Sequence, residues 1–177
     1  MGPTVGVARQ VTRARRVTGT LSATARLDAS PERIWDEITN VDIHSYPQPW
    51  YFRLAGIPHP LRAEVIATGV GGQRIAYFAS GKRFIQRITT WEPYREYAFT
   101  FNPEKGFRVV FLFDLSDGIV QIPTGSYLLT HQGNSVSLRL STEYSIDRRF
   151  AKILGPPVRL GLRAFQRYLL AGIVKMS

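Results

Sequence analysis

The side chains able to do chemistry in this sequence are few. Three histidines, His44, His59 and His131, stand far apart, and the 177 residues include no cysteine. Without thiols there is no disulfide framework, no thiolate nucleophile and no Cys-ligated metal. The histidines lack ligand spacing, so neither a metal site nor a cofactor is expected. No phosphate loop, dinucleotide fingerprint or HExxH motif occurs. Gly125-Ser126-Tyr127 does not make a nucleophile elbow, and no Ser/His/Asp set stands out. What remains is acid–base and electrostatic chemistry from His, Tyr and Arg. His44 and His59 flank a proline-rich aromatic segment and, with Tyr127, are the candidate acid–base groups.

The elements that would position such groups can be read from hydrophobic periodicity. From Val17 to Asp28 apolar and small residues alternate with polar ones, the pattern of a half-buried strand. A helix start follows at once, with Ser30 as N-cap, Pro31 at the first helical position and Glu32 in the first turn. Ile34, Trp35 and Ile38 give that helix an apolar stripe, and it should end near Asn40. Residues 41–61 hold four prolines, with room for a second short helix between Val41 and Tyr46. Tyr46, Trp50, Tyr51 and Phe52 crowd the same segment and must bury against core or ligand, with Trp50 as lid or anchor.

Residues 62–147 read as successive strands joined by short turns, an antiparallel meander. One of these strands is expected at FRVVFLFDL, after the turn at Asn102 to Gly106. After a break at Gly155-Pro156-Pro157, apolar residues from Val158 to Met176 recur at helical spacing. That helix of about five turns carries Phe165 and Leu169 on its apolar face and Arg159, Arg163 and Arg167 on another.

The charge of +10 sits at the ends of the chain. Residues 1–16, read as a flexible basic arm before a single domain at 17–177, have four arginines and no acid. Residues 148–177 have seven basic side chains and again no acid, while the body carries 12 basic against 13 acidic groups. Basic ends point to an anionic partner surface, with a membrane favoured over nucleic acid. No apolar run is long enough to span a bilayer, and the N-terminus lacks the apolar core of a signal peptide. A cytoplasmic protein, at most peripheral to a membrane, is the expected localisation.

The order strand, paired helices, meander, long C-terminal helix resembles the START-like superfamily, also called SRPBCC. Ala29-Ser30-Pro31-Glu32-Arg33-Ile34-Trp35 looks like its strand-to-helix entry, and the apolar last helix matches as well. The stretch GIPHPLRAEVIATGVGGQRIAYFASG also resembles a bacterial, polyketide cyclase-like branch. The resemblance implies an α+β helix-grip fold, in which a curved seven-stranded antiparallel sheet wraps a long C-terminal helix and two short helices follow strand 1. It further implies a cavity for an apolar small molecule. The inward candidates to line it are Tyr77, Tyr97, Phe99, Phe111, Phe113, Tyr127 and Tyr144 on the strands. Trp50, Phe165 and Leu169 complete the set. Three functions fit: a carrier of a polyketide, lipid or quinone-like compound, a cyclase or aromatase, or an interaction module with a vestigial cavity.

Overall fold

The computed structural model describes residues 16–109, 113–115 and 118–176. A single antiparallel sheet organises it, with strands β1 (Arg16–Leu27), β2 (Pro60–Ala67), β3 (Gln73–Phe78), β4 (Arg83–Glu92), β5 (Glu96–Pro103), β9 (Thr124–Gln132) and β10 (Ser135–Asp147). Their spatial order is β1-β10-β9-β5-β4-β3-β2, and the short β8 (Val120–Gln121) joins β10 off that path. Helices α1 (Pro31–Thr39) and α2 (Trp50–Leu54) lie between β1 and β2, and α3 (Ala151–Met176) closes the chain. This is the helix-grip arrangement, with seven strands in the main path as expected.

Local chemistry explains the elements that the sequence announced. Ser30 accepts the backbone N–H of Arg33 at 3.3 Å, which caps α1. Ile34, Trp35 and Ile38 of α1 then bury against Tyr97, Leu138 and Ile173, tying α1, the sheet and the end of α3 into one cluster. A second cluster gathers Phe78, Phe84, Phe107 and Ile146 around the start of α3.

Four expectations need correction. The second helix does not lie between Val41 and Tyr46 but after Pro47 and Pro49, from Trp50. Ile43 donates to the Leu61 carbonyl at 2.9 Å and Ala63 to that of Val41 at 2.7 Å, so the 41–43 backbone runs beside β2 and cannot coil. The FRVVFLFDL segment does not join the sheet either. Its described parts form a separate hairpin, β6 (Arg108–Val109) with β7 (Phe113–Asp114), because β9 already occupies the edge of β5 through Tyr97↔Tyr127.

The helix does not break at Gly155-Pro156-Pro157, but runs through both prolines from Ala151. Proline removes a donor from the carbonyl four residues earlier. Here those carbonyls belong to Lys152 and Ile153, whose side chains are exposed, on a stretch where water can replace the lost donors. Finally, Arg16 belongs to β1 rather than to a basic arm. Its guanidinium donates to Ser145 Oγ at 2.9 Å and to the Ser145 carbonyl at 3.0 Å. The rest of the arm, residues 1–15, lies outside the described residues.

Candidate functional site

Between the sheet and α3 the packing leaves two neighbouring chambers of about 90 Å³ each. Phe78, Phe84, Ile122, Leu162 and Phe165 line both and so form their common wall. The outer chamber is apolar throughout and is flanked by Ile57 and Pro58 on one side and Pro157 and Gly161 on the other. The inner chamber adds Phe99, Leu140 and Leu169, and it alone has polar lining residues, Arg62 and a corner of Arg74, Gln86, Tyr127, Thr142 and Gln166.

Strand parity puts that corner inside. Arg74, Ala76 and Phe78 share one face of β3, and Phe84, Gln86 and Ile88 share one face of β4. The twofold alternation therefore delivers Arg74 and Gln86 to the interior with the apolar residues beside them. Arg74 is only 3% exposed. Its guanidinium donates to Gln86 Oε1 at 3.0 Å, to the Ile38 carbonyl at 2.9 Å and to the Thr39 carbonyl at 3.3 Å. Ile38 and Thr39 are the last residues of α1, whose end carbonyls have no partner within the helix and carry partial negative charge.

The tyrosines around Arg74 feel both burial and its charge. Burial pushes the Tyr127 hydroxyl above its ordinary pKa, while the Arg74 charge and a hydrogen bond from its side chain pull the other way. Burial likewise pushes Tyr97 up to about 12, with the Arg74 charge countering it. The Tyr97 hydroxyl has no hydrogen-bond partner among the described residues. On the helix side, Gln166 Nε2 donates to the Leu21 carbonyl and to Thr142 Oγ1, both at 2.9 Å, and its Oε1 has no partner among the described residues.

Of the residues expected from sequence, the structure brings Phe99, Tyr127, Phe165 and Leu169 together around the inner chamber. Tyr97 is fully buried beside Phe99, their ring centroids 5.1 Å apart, but does not line the chamber. Tyr144 is buried in the cluster at the start of α3 and also stays out of both chambers. Tyr77 does not point inward: it occupies the outer face of β3, donating to Glu64 Oε1 at 2.8 Å beneath the Arg62 guanidinium. It follows the parity opposite to Ala76 and Phe78. Trp50 is 72% exposed, since α2 turns Phe52 and not Trp50 into the core. Phe111 and the side chain of Phe113 lie outside the described residues.

The acid–base candidates separate as well. His44 is exposed and pairs with Asp42 on its own loop. His59 is half-buried beyond the chambers, with Nε2 3.1 Å from the Tyr168 hydroxyl, and burial lowers its pKa. Tyr127 alone of the three lines a chamber. Sequence reasoning missed Arg74, Gln86, Thr142 and Gln166. Their signal was present, as polar residues at apolar-parity positions of strands and on the apolar face of α3, and it marks groups with an interior partner.

A larger hollow lies elsewhere, an open groove of about 770 Å³ between β1 and α3 with Arg163, Arg167 and Lys175 along it. Its size reflects open solvent, and apart from Gln166 it holds no buried polar group. Among the described residues no set of three His, Asp or Glu side chains is placed to hold a metal, and no helix is long and apolar enough to cross a membrane.

No protein-family model matches the chain, and no curated protein matches it by sequence. Solved structures match over nearly the whole length. Norcoclaurine synthase from Thalictrum flavum, in truncated form, is 18% identical with a TM-score of 0.60, over 94% of this chain and 97% of that one. The same synthase in complex with dopamine and hydroxybenzaldehyde matches at 18% identity and TM-score 0.57, over 99% and 96%. A Chromobacterium violaceum protein solved by structural genomics gives 19% and 0.51, over 89% and 95%. At this identity the likeness is one of fold, the helix-grip fold.

Proposed function

Given a helix-grip fold, we propose that this chain binds a small apolar or aromatic molecule between its sheet and α3. One observation carries the reading: two adjoining chambers of about 90 Å³ stay open inside an otherwise packed core. Protein interiors keep few voids larger than a water molecule. Apolar space left unfilled forgoes packing contacts, which a bound ring restores. The volumes suit a molecule of one or two rings. A neighbour of the same fold is described with dopamine and hydroxybenzaldehyde, which are single-ring aromatics, and this supports the size class.

In the finer form of the proposal the ligand is polyketide, lipid or quinone-like, and the chain either carries it or catalyses its cyclisation, aromatisation or dehydration. Catalysis would rest on Tyr127 and Arg74, whose donors could polarise a carbonyl oxygen held in the inner chamber. Native mass spectrometry with organic extraction tests binding. The wild type should carry or take up an apolar molecule, and Leu162→Trp, which fills the common wall, should lose it while keeping the fold by circular dichroism. A clean apo mass, with no uptake from fatty acids, quinones and aromatic polyketides, would sink the reading.

A second reading places the basic ends on an anionic membrane from the cytoplasmic side. Leu160, 71% exposed between the exposed Arg159 and Arg163, favours an interfacial surface over a nucleic-acid groove. Cosedimentation with phosphatidylserine vesicles that weakens with salt supports it; salt-insensitive or absent binding removes it.

A further inference from the structure

We infer that the ligand of the inner chamber carries an anionic oxygen, a carboxylate or phenolate, which sits against Arg74, and a hydroxyl that donates to Gln166. This rests on the ligand-binding reading above and names its chemistry. Arg74 is a charge buried without a counter-charge. A guanidinium keeps its proton inside proteins, yet the hydrogen-bond partners of Arg74 among the described residues are neutral: two carbonyls and an amide oxygen. No carboxylate of a described residue pairs with it. The end of α1 contributes about half a negative charge. The rings of Phe99 and Tyr97, with centroids 5.7 and 5.8 Å from Arg74 Cζ, add a weaker attraction. The remainder is uncompensated, and burying it is costly unless an anion completes the site.

The donors are placed for such an anion. Of the five N–H groups of a guanidinium, the Ile38, Thr39 and Gln86 oxygens take one each, leaving two for a ligand. Tyr127 feels the Arg74 charge and has an O–H to give to the same oxygen. Both residues line the inner chamber.

Gln166, 1% exposed and on the same lining, supplies the second, independent observation. Its amide orientation is fixed, because the Leu21 carbonyl can only accept and therefore faces Nε2. Oε1 is then a buried acceptor without a partner among the described residues. A ligand hydroxyl would satisfy it, and an apolar ring spanning the chamber would carry both groups.

The test is calorimetric titration of the full chain with 4-hydroxybenzoate and its neutral isostere 4-hydroxybenzamide, at fixed salt. The acid should bind at least about tenfold more tightly, as one charged hydrogen bond implies. Gln166→Glu, which sets a carboxylate on the same wall, should cut binding of the acid at least about tenfold and that of the amide less. Arg74→Lys, keeping charge and helix cap but not the fork, should narrow the acid-to-amide ratio. Leu162→Trp should abolish binding of both. If acid and amide bind equally, the inference fails while the ligand-binding reading stands. Acid binding that survives Leu162→Trp belongs to the basic surface and overturns the inference too. If neither compound binds, and native mass spectrometry finds no bound or absorbed molecule, both fall together.

Discussion

Tyr144 of β10 lies flat across Gly19 of β1, so close that a Cβ at position 19 would stand 2.6 Å from the tyrosine hydroxyl and 2.7 Å from Cζ. The two residues are register partners, and the ring fills the space that glycine leaves. Tyr144 is buried, so its ring cannot swing into solvent. Gly19→Ala should therefore destabilise the protein by about 1–3 kcal/mol through overpacking. In a Tyr144→Ala background the same change should cost far less. Urea midpoints of the four proteins of this cycle check the coupling; additive effects would show that the ring yields freely.

His59 should make stability fall on mild acidification. Burial, partly offset by a hydrogen bond with the Tyr46 backbone, lowers its pKa below the ordinary 6.5. A histidine depressed in the folded state binds its proton more readily when unfolded. Its contribution is complete above 6.5 and is lost as pH falls through the lower folded value. The Tyr168 hydroxyl already gives its proton to the Tyr46 carbonyl at 3.0 Å, so His59 Nε2 must be the donor to Tyr168. His59→Gln keeps a donor without titrating, and it should flatten the dependence of Tm on pH between about 7.5 and 5.5. An unchanged slope would show that His59 is not the titrating group.

Asp147 acts at much lower pH. Side-chain and then backbone hydrogen bonds from Arg149 hold its carboxyl down to about 2, against 3.8 normally. Its contribution is present above 3.8 and disappears as pH falls through about 2. Asp147→Asn should lower the urea midpoint at pH 6 and bring it together with that of the wild type near pH 2. Curves that stay parallel over the whole range would contradict this linkage.

The buried Tyr97 hydroxyl makes no hydrogen bond to a described residue, and an unmet buried donor costs more than its removal. Tyr97→Phe should hold or raise stability by up to about 1 kcal/mol, read from the urea midpoint. A clear loss would show that the hydroxyl has a partner in solution, such as an ordered water.

The order of elements was legible because its signals are local. Alternation from Val17, the Ser30-Pro31-Glu32 start and the apolar spacing of α3 depend on residues a few positions apart, and each produced its element. The misplaced second helix and the FRVVFLFDL segment depend on distant partners. Leu61 claims the backbone near Ile43, and β9 excludes the hairpin from the edge of β5. Nothing within either segment records that competition.

For the site the division is the same. The sequence by itself determined a helix-grip frame, an interior rich in aromatic side chains and the absence of thiol chemistry. It also brought Phe99, Tyr127, Phe165 and Leu169 toward one cavity through parity and helix phase. Only the tertiary structure decided that Tyr77 faces out and that Trp50 is exposed. Only it decided that Arg74, Gln86 and Gln166, far apart in sequence, form a polar corner in that cavity. The reason is physical: an apolar residue shows its preference for the interior by its own pattern, whereas a buried polar residue is admitted only by partners that the fold brings to it.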